Sequence, residues 1–295
     1  MTNTWKYLLG VITLAVLTAL ATIFSVPDEK LHLIACDVGQ GDAILAIYKT
    51  NQILIDGGPD RKVLDCLAKY LPFWDKSIEV VVLTHPQQDH YGGLIEVFQS
   101  YEVETFVANA VDSDSEGYQV LKNLVEGSGA KIVNPDEETA IRLGLLYLDI
   151  LHPSGQYILS EVEGSDNGVL GAFTTNRDLN EFSVVAILSL GEFDALLTGD
   201  IGPEIIPDIL AGGEIKDVEY IKIPHHGSKN GLTLKFLEAS MPEVAVISAG
   251  KNNRYGHPHQ ETLKILRDKD IKILRTDEIG DVEIITDGES WQIRN

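Results

Sequence analysis

Six consecutive residues constrain this chain more than any other feature. His85-Pro86-Gln87-Gln88-Asp89-His90 follows the apolar run at residues 78–84 and precedes Gly92-Gly93. The run reads as a buried strand and the paired glycines open a helix, so a tight loop brings three ligand-type side chains together. Imidazole and carboxylate groups converging at a strand end are what a divalent metal such as Zn²⁺ requires. Packing explains the cluster poorly, because buried aspartate and histidine need partners.

Further ligand-type groups stand at other strand ends. Thr198-Gly199-Asp200 follows the apolar run at 195–197, and Ile223-Pro224-His225-His226-Gly227-Ser228 follows another. A third run leads to Ser248-Ala249-Gly250 and then Tyr255-Gly256-His257-Pro258-His259. Six of the eight histidines fall in these clusters. Singly, His225, His226, His257 and His259 read equally well as loop hydrogen-bonders. Together with the acidic groups they describe one metal site assembled from distant segments.

The rest of the pattern alternates strands and helices. Residues 31–36, 43–48 and 52–55 read as a meander, 61–70 as an amphipathic helix, 78–84 and 103–108 as strands, and 116–126 as a helix. Residues 139–151 predict a hairpin turning near Gly144, and 154–178, rich in Gly, Ser, Asn and Asp, a long loop or flap. A second hairpin at 182–197 follows, then helix–strand units and closing strands at 271–274, 282–285 and 291–293. Two such halves predict an α/β (α+β) fold, a four-layer αββα sandwich of two mixed sheets with helices outside.

The N-terminus departs from this. Residues 7–26 carry no charge over twenty positions, enough at the helical rise to cross a hydrocarbon core of about 30 Å. Lys6 precedes the run and Asp28-Glu29 follow it, which puts the N-terminus in the cytoplasm and the remainder outside. Residues 1–27 are thus expected to form a membrane anchor (one transmembrane helix) and 28–295 a single extracytoplasmic domain. The rival is a cleaved signal ending near Ala19-Leu20-Ala21, which would make the domain secreted. Cys36 and Cys66 lie in apolar surroundings and read as buried thiols, with a disulfide between them left open. With 45 acidic against 23 basic residues, the surface repels polyanions on average, and composition alone argues against a nucleic-acid binder. Locally, Lys222, Lys229, Lys251 and Arg254 flank the histidine loops, where they form either a positive funnel or solvated loop cations.

His85 to His90 with Gly92-Gly93 resembles the metallo-β-lactamase superfamily motif. Asp37-Val38-Gly39-Gln40-Gly41-Asp42, Leu54-Ile55-Asp56-Gly57-Gly58, Asn180 with Ser183, Leu197-Thr198-Gly199-Asp200, Pro224-His225-His226-Gly227-Ser228 and Asn253-Arg254-Tyr255-Gly256-His257-Pro258 resemble the hydrolase domain of ComEC-type DNA-uptake proteins. The resemblance implies a metal-dependent hydrolase with His85, Asp89, His90, Asp200 and one late histidine (His226, His225 or His257) as ligands. It implies Asp89, Asp200 and His226 as catalytic groups. Asp56 would support the metal loop, Asp37, Gln40 and Asp42 would line the cleft, and Asn180, Ser228 and Lys229 would orient substrate or support the site. The expected metal is Zn²⁺, with Mn²⁺ and Mg²⁺ as alternatives. Gln87 stands where the family carries histidine or aspartate, and an amide is the poorer ligand. One metal is therefore expected to be held tightly and a second weakly or not at all. The implied activity is hydrolysis of DNA or another phosphodiester outside the membrane. Hydrolysis of a small ester, lactone or β-lactam, or a binding role with catalysis lost, are the alternatives.

Overall fold

Strand alternation builds this molecule, because most strands are buried on both faces. In the computed structural model, residues 3–24, 28–164, 170–213 and 215–294 are described, with side chains of the first stretch described at 4–16. After helix α1 (Asn3–Phe24) come β1 (Leu31–Ala35), β2 (Ile44–Tyr48), β3 (Asn51–Ile55), α2 (Lys62–Tyr70), β4 (Ser77–Leu83), α3 (Gln88–Ser100), β5 (Glu102–Ala108), α4 (Glu116–Ser128) and β6 (Lys131–Val133). Then follow β7 (Ala140–Leu143), β8 (Leu146–His152), α5 (Gly155–Glu161), β9 (Glu163–Gly164), β10 (Phe173–Thr174), β11 (Val185–Leu190), β12 (Phe193–Leu197) and α6 (Ile206–Gly212). The chain closes with β13 (Tyr220–Lys222), α7 (Leu234–Ser240), β14 (Val244–Ile247), α8 (Gln260–Asp268), β15 (Lys272–Arg275), α9 (Thr276–Ile279), β16 (Val282–Thr286) and β17 (Trp291–Arg294).

Eight strands form one sheet in the order β17-β16-β1-β2-β3-β4-β5-β6, and seven form another, β15-β14-β13-β12-β11-β8-β7. Both are mixed: β3, β4, β5 and β6 run parallel, as do β12, β13, β14 and β15, and their neighbours pair antiparallel. Alternate residues sort to opposite faces. Leu33, Ala35, Ile44, Ala46, Ile53, Val80 and Val82 meet Leu148, Leu188, Ala195, Leu197 and Val246 in the core between the sheets. The intervening Ile34, Leu45, Leu54 and Val81 pack under α2, α3 and α4 beside Leu67, Leu94 and Leu121. On the other side, Ile187, Leu196, Ile221 and Ala245 pack under α6, α7 and α8 beside Ile209, Phe236 and Leu263. The expected two-sheet sandwich with outer helices is what the chain forms.

Three expectations need correction or fall outside the described residues. Among the described residues no helix is long and apolar enough to cross a membrane. Helix α1 runs from Asn3 to Phe24, and its side chains are described at 4–16. The side chains of the processing site at 19–21, and residues 25–27 altogether, lie outside the described residues. The segment at 154–178 is not uniformly a loop: Ser154 caps α5 by accepting from the Tyr157 N–H (3.0 Å), and β9 pairs with β10. Residues 165–169 within it lie outside the described residues.

The cysteines are not free thiols. Cys36 and Cys66 form a disulfide with a Cα–Cα distance of 5.9 Å, tying the end of β1 to α2. The helix face that carries Cys66 with Val63 and Leu67 packs on the sheet face that carries Ile34 and Cys36, which is why the pair meets. Replacing both cysteines with serine is expected to cost about 3.6 kcal/mol, because the bond closes a loop of 30 residues in the unfolded chain. A urea-unfolding midpoint unchanged from that of the oxidised protein would refute this.

Candidate metal centre

The site forms at the carboxyl ends of the parallel strands, where loops from both sheets meet. Loop 36–43 follows β1, Asp56 follows β3, and Thr84 to His90 runs from β4 into the first turn of α3. From the other sheet, Thr198-Gly199-Asp200 follows β12, a tight turn at Pro224–Gly227 follows β13, and Ser248 follows β14. The loops approach so closely that a Cβ on Gly41 would collide with the Asp89 carbonyl, and one on Gly93 with the Gly57 carbonyl. Asp56 (φ +60°), His225 (φ +49°) and His226 (φ +54°) are non-glycine residues in left-handed backbone, strain of the kind held in place at functional sites.

Asp89, His90, Asp200 and His226 each present one ligand-type atom, and these atoms all lie within 4.8 Å of one another. Asp200 Oδ2 is 3.3 Å from His90 Nε2 and 3.2 Å from His226 Nε2, and Asp89 Oδ2 is 3.4 Å from His226 Nε2. The other ring nitrogens are committed. His90 Nδ1 lies 2.7 Å from Asp56 Oδ2, and His226 Nδ1 is 3.0 Å from the Ser248 carbonyl. Both acceptors fix the proton on Nδ1 and leave the Nε2 lone pair facing the centre. Asp56 is itself held by the Thr84 N–H and hydroxyl, each at 2.8 Å. His90 and His226 have buried Nε2 atoms with no hydrogen-bond partner among the described residues, as does His85. Orphaned imidazole nitrogens of this kind fit a metal ion and little else.

The electrostatics agree. Among the described residues, the one ammonium paired with the buried carboxylates of Asp42 and Asp200 is that of Lys222. Burial works against the Asp200 charge, yet His226, Lys222 and His90 hold its carboxyl well below the usual range. The carboxylates in turn raise both imidazoles against their burial, so a metal ion must displace a proton from each ring. Burial likewise opposes the Asp42 charge, and Lys222 and His226 bring its pKa to about 2. His85 is pushed down to about 3 by burial and by neighbouring His90, so it is a neutral imidazole. A buried excess of acid with two prepared imidazoles calls for a cation.

The remaining sequence-picked residues divide. His85 lies beside the centre, its Nδ1 within 3.2 Å of the Ser183 hydroxyl, and its ring 4.1 Å from that of His90, but it is outside the four-residue group. His225 and His257 also fall outside it; their rings lie 6.2 Å from that of His226, at the rim. Gln87 stands half-buried at the N-terminal boundary of α3, without a side-chain capping bond among the described residues. Gln40 Oε1 accepts from the Gly250 N–H (3.1 Å), joining the loops of the two sheets. Asn180 is buried with an Oδ1 that has no partner among the described residues, Ser228 is buried with its hydroxyl accepting from the Asn230 N–H, and Lys229 is exposed. Asp37 does not line this cleft. It is exposed, with its N–H bonded to Asp281 (2.8 Å), and lines a groove with Lys69, Tyr70 and Glu283.

Two features escaped the sequence reading. Lys222 is no funnel cation: its side chain is 1 % exposed and bound to Asp42 and Asp200. The alternation of β13 gives the signal, since Lys222 shares parity with Tyr220, which faces the inter-sheet core. The other is the supporting pair Thr84 and Asn109, which stands beside Ser183. The Asn109 amide donates to the Thr84 and Phe182 carbonyls (3.1 and 2.7 Å), and the Ser183 hydroxyl accepts from the Asp200 N–H (3.1 Å).

Comparisons with known proteins point the same way. ComE operon protein 3 of Bacillus subtilis is 27% identical over 266 residues, covering 84% of this chain and 32% of that protein. Competence protein ComA of Neisseria gonorrhoeae is 35% identical over 262 residues, covering 87% and 32%. These are competence proteins of the ComEC type, and the chain spans about a third of their length. Among solved structures, the metallo-beta-lactamase fold protein YhfI from Bacillus subtilis aligns with a TM-score of 0.53 at 12% identity, over 87% of this chain and 100% of that one. Residues 36–251 match the metallo-beta-lactamase superfamily, and with that stretch taking in every member of the four-residue group, the chain belongs to this superfamily.

Proposed function

We propose that this chain is a metal-dependent phosphodiesterase acting on DNA or a similar phosphodiester outside the membrane. The observation that carries the metal is the meeting of Asp89, His90, Asp200 and His226 around unpartnered Nε2 atoms. A divalent ion, Zn²⁺ first, bound there would acidify a water molecule and draw charge from the phosphoryl oxygens.

The chain's own groups supply the rest. Asp89 is the one carboxylate of the four-residue group open to the cleft, with a side chain 31% exposed, so it is placed to orient the attacking water. His257 is pushed down to about 4 by burial and by His226, so at neutral pH its ring is an uncharged donor beside the phosphoryl oxygens. Its Nδ1 has no partner among the described residues. Asp42, Asp56 and Lys222 hold the ligands still.

Phosphodiester rather than ester chemistry is supported by the rim. Lys229, Lys251 and Arg254 are exposed around the histidine loops in a chain of net charge −22. The Arg254 guanidinium lies 4.9 Å from the Tyr255 ring centre, pairing a cation with an aromatic face as single-strand binders do. Arg254→Ala is expected to weaken oligonucleotide binding and to reduce the slope of log affinity against log salt by about 0.7, the share of one phosphate contact. An unchanged slope would remove Arg254 from the substrate path.

Export is supported by the apolar α1, whose Trp5, Tyr7, Leu9, Val11 and Leu14 side chains are all exposed. The disulfide belongs to an oxidising compartment as well. Membrane attachment through residues 7–26 is the proposed consequence. The function is tested by incubating the full chain with Zn²⁺ or Mn²⁺ and a labelled single-stranded oligonucleotide, beside Asp200→Ala. Cleavage by the parent protein alone is expected. Intact oligonucleotide together with turnover of a small ester would overturn the phosphodiester assignment.

A further inference from the structure

Lys222 occupies a position where a cation is normally costly. All three ammonium protons have acceptors: an Asp42 carboxylate oxygen, Asp200 Oδ1 at 3.2 Å and the Gly199 carbonyl at 2.8 Å. The Thr198 hydroxyl anchors the Lys222 carbonyl at 2.7 Å, so backbone and side chain are both fixed. The two oxygens of Asp200 therefore have separate duties. Oδ2 faces the Nε2 atoms of His90 and His226, and Oδ1 belongs to the ammonium.

Asp42 shows what the ammonium displaces. Its Oδ1 is buried without a hydrogen-bond partner among the described residues and lies 3.4 Å from His226 Nδ1. Asp42, Asp56 and His90 form a second group whose ligand-type atoms lie within 4.8 Å of one another. Two clusters of acid and imidazole thus share His90, and Lys222 bridges their carboxylates, Asp42 in one and Asp200 in the other. Removing the ammonium alone would leave the Asp42 and Asp200 carboxylates buried and uncompensated, so this position needs a positive charge.

We propose that Lys222 is a built-in cation standing in for a second divalent metal. It neutralises Asp42, claims Asp200 Oδ1, and limits the centre to one metal ion. The proposal rests on Asp89, His90, Asp200 and His226 holding the first ion. Lys222 acts as a positioning residue, through Asp200.

The test uses the full chain, saturated with zinc and desalted, with zinc equivalents counted by mass spectrometry and melting temperature followed with and without zinc. The parent protein should hold one equivalent, and Lys222→Arg should keep it. Lys222→Met should take up a second equivalent and melt lower than the parent until zinc is added. Asp42→Asn combined with Lys222→Met removes both charges and should return to one equivalent, and it keeps the proposal testable should the single variant fold only with zinc. Lys222→Met held at one equivalent with unchanged melting would overturn the proposal. So would two equivalents in the parent protein, which leaves the ligand reading intact. A parent protein that binds no zinc would overturn the ligand reading itself.

Discussion

Asp200→Ala is expected to leave a folded protein that no longer retains a divalent metal, with affinity lowered by more than about 100-fold, beyond the loss from removing an outer partner. Asp200 Oδ2 faces the Nε2 atoms of both prepared imidazoles, at 3.3 Å from His90 and 3.2 Å from His226. Without it, His90 and His226 retain Asp56 and the Ser248 carbonyl on their other nitrogens, so the rings stay placed but the carboxylate between them is gone. The fold should survive because Lys222 keeps Asp42 and the Gly199 carbonyl as partners. Zinc titration followed by calorimetry checks this, with His90→Ala alongside. A variant that binds zinc like the parent would remove Asp200 from the centre.

Asp56→Asn is expected to lower metal affinity about 10- to 100-fold although Asp56 is not a member of the four-residue group. Asp56 Oδ1 accepts the Thr84 N–H, so the asparagine oxygen must stay there and its NH₂ takes the place of Oδ2. That NH₂ then points at His90 Nδ1, which lay 2.7 Å from the carboxylate. Nδ1 can only accept from it, the ring proton moves to Nε2, and the lone pair meant for the metal is lost. Unaltered zinc affinity in this variant would show that Asp56 does not set the His90 tautomer.

The strands and the metal loops were legible in the sequence because each leaves a local trace. Alternating burial on both faces shows in β1 to β4 as continuous apolar runs, and a ligand loop after such a run is readable at Thr84 to His90. Partners set by long-range pairing leave no such trace. Nothing near residues 282–294 says that β16 and β17 complete the first sheet beside β1. The choice among the late histidines was likewise hidden. His225 and His226 are adjacent, and the left-handed backbone at both decides which ring enters the centre. The cysteine pairing needed the packing of α2 on β1, and the role of Lys222 needed parity read through a strand of three residues.

Metal content of the purified full chain tests the central claim most directly. The protein is to be loaded with zinc, desalted and analysed, and its melting temperature recorded before and after chelation. One equivalent of zinc per chain, with melting lowered by chelator, is the predicted result. Less than a tenth of an equivalent with Zn²⁺, Mn²⁺ or Mg²⁺, and melting indifferent to chelator, would contradict the account and leave the fold without its metal chemistry.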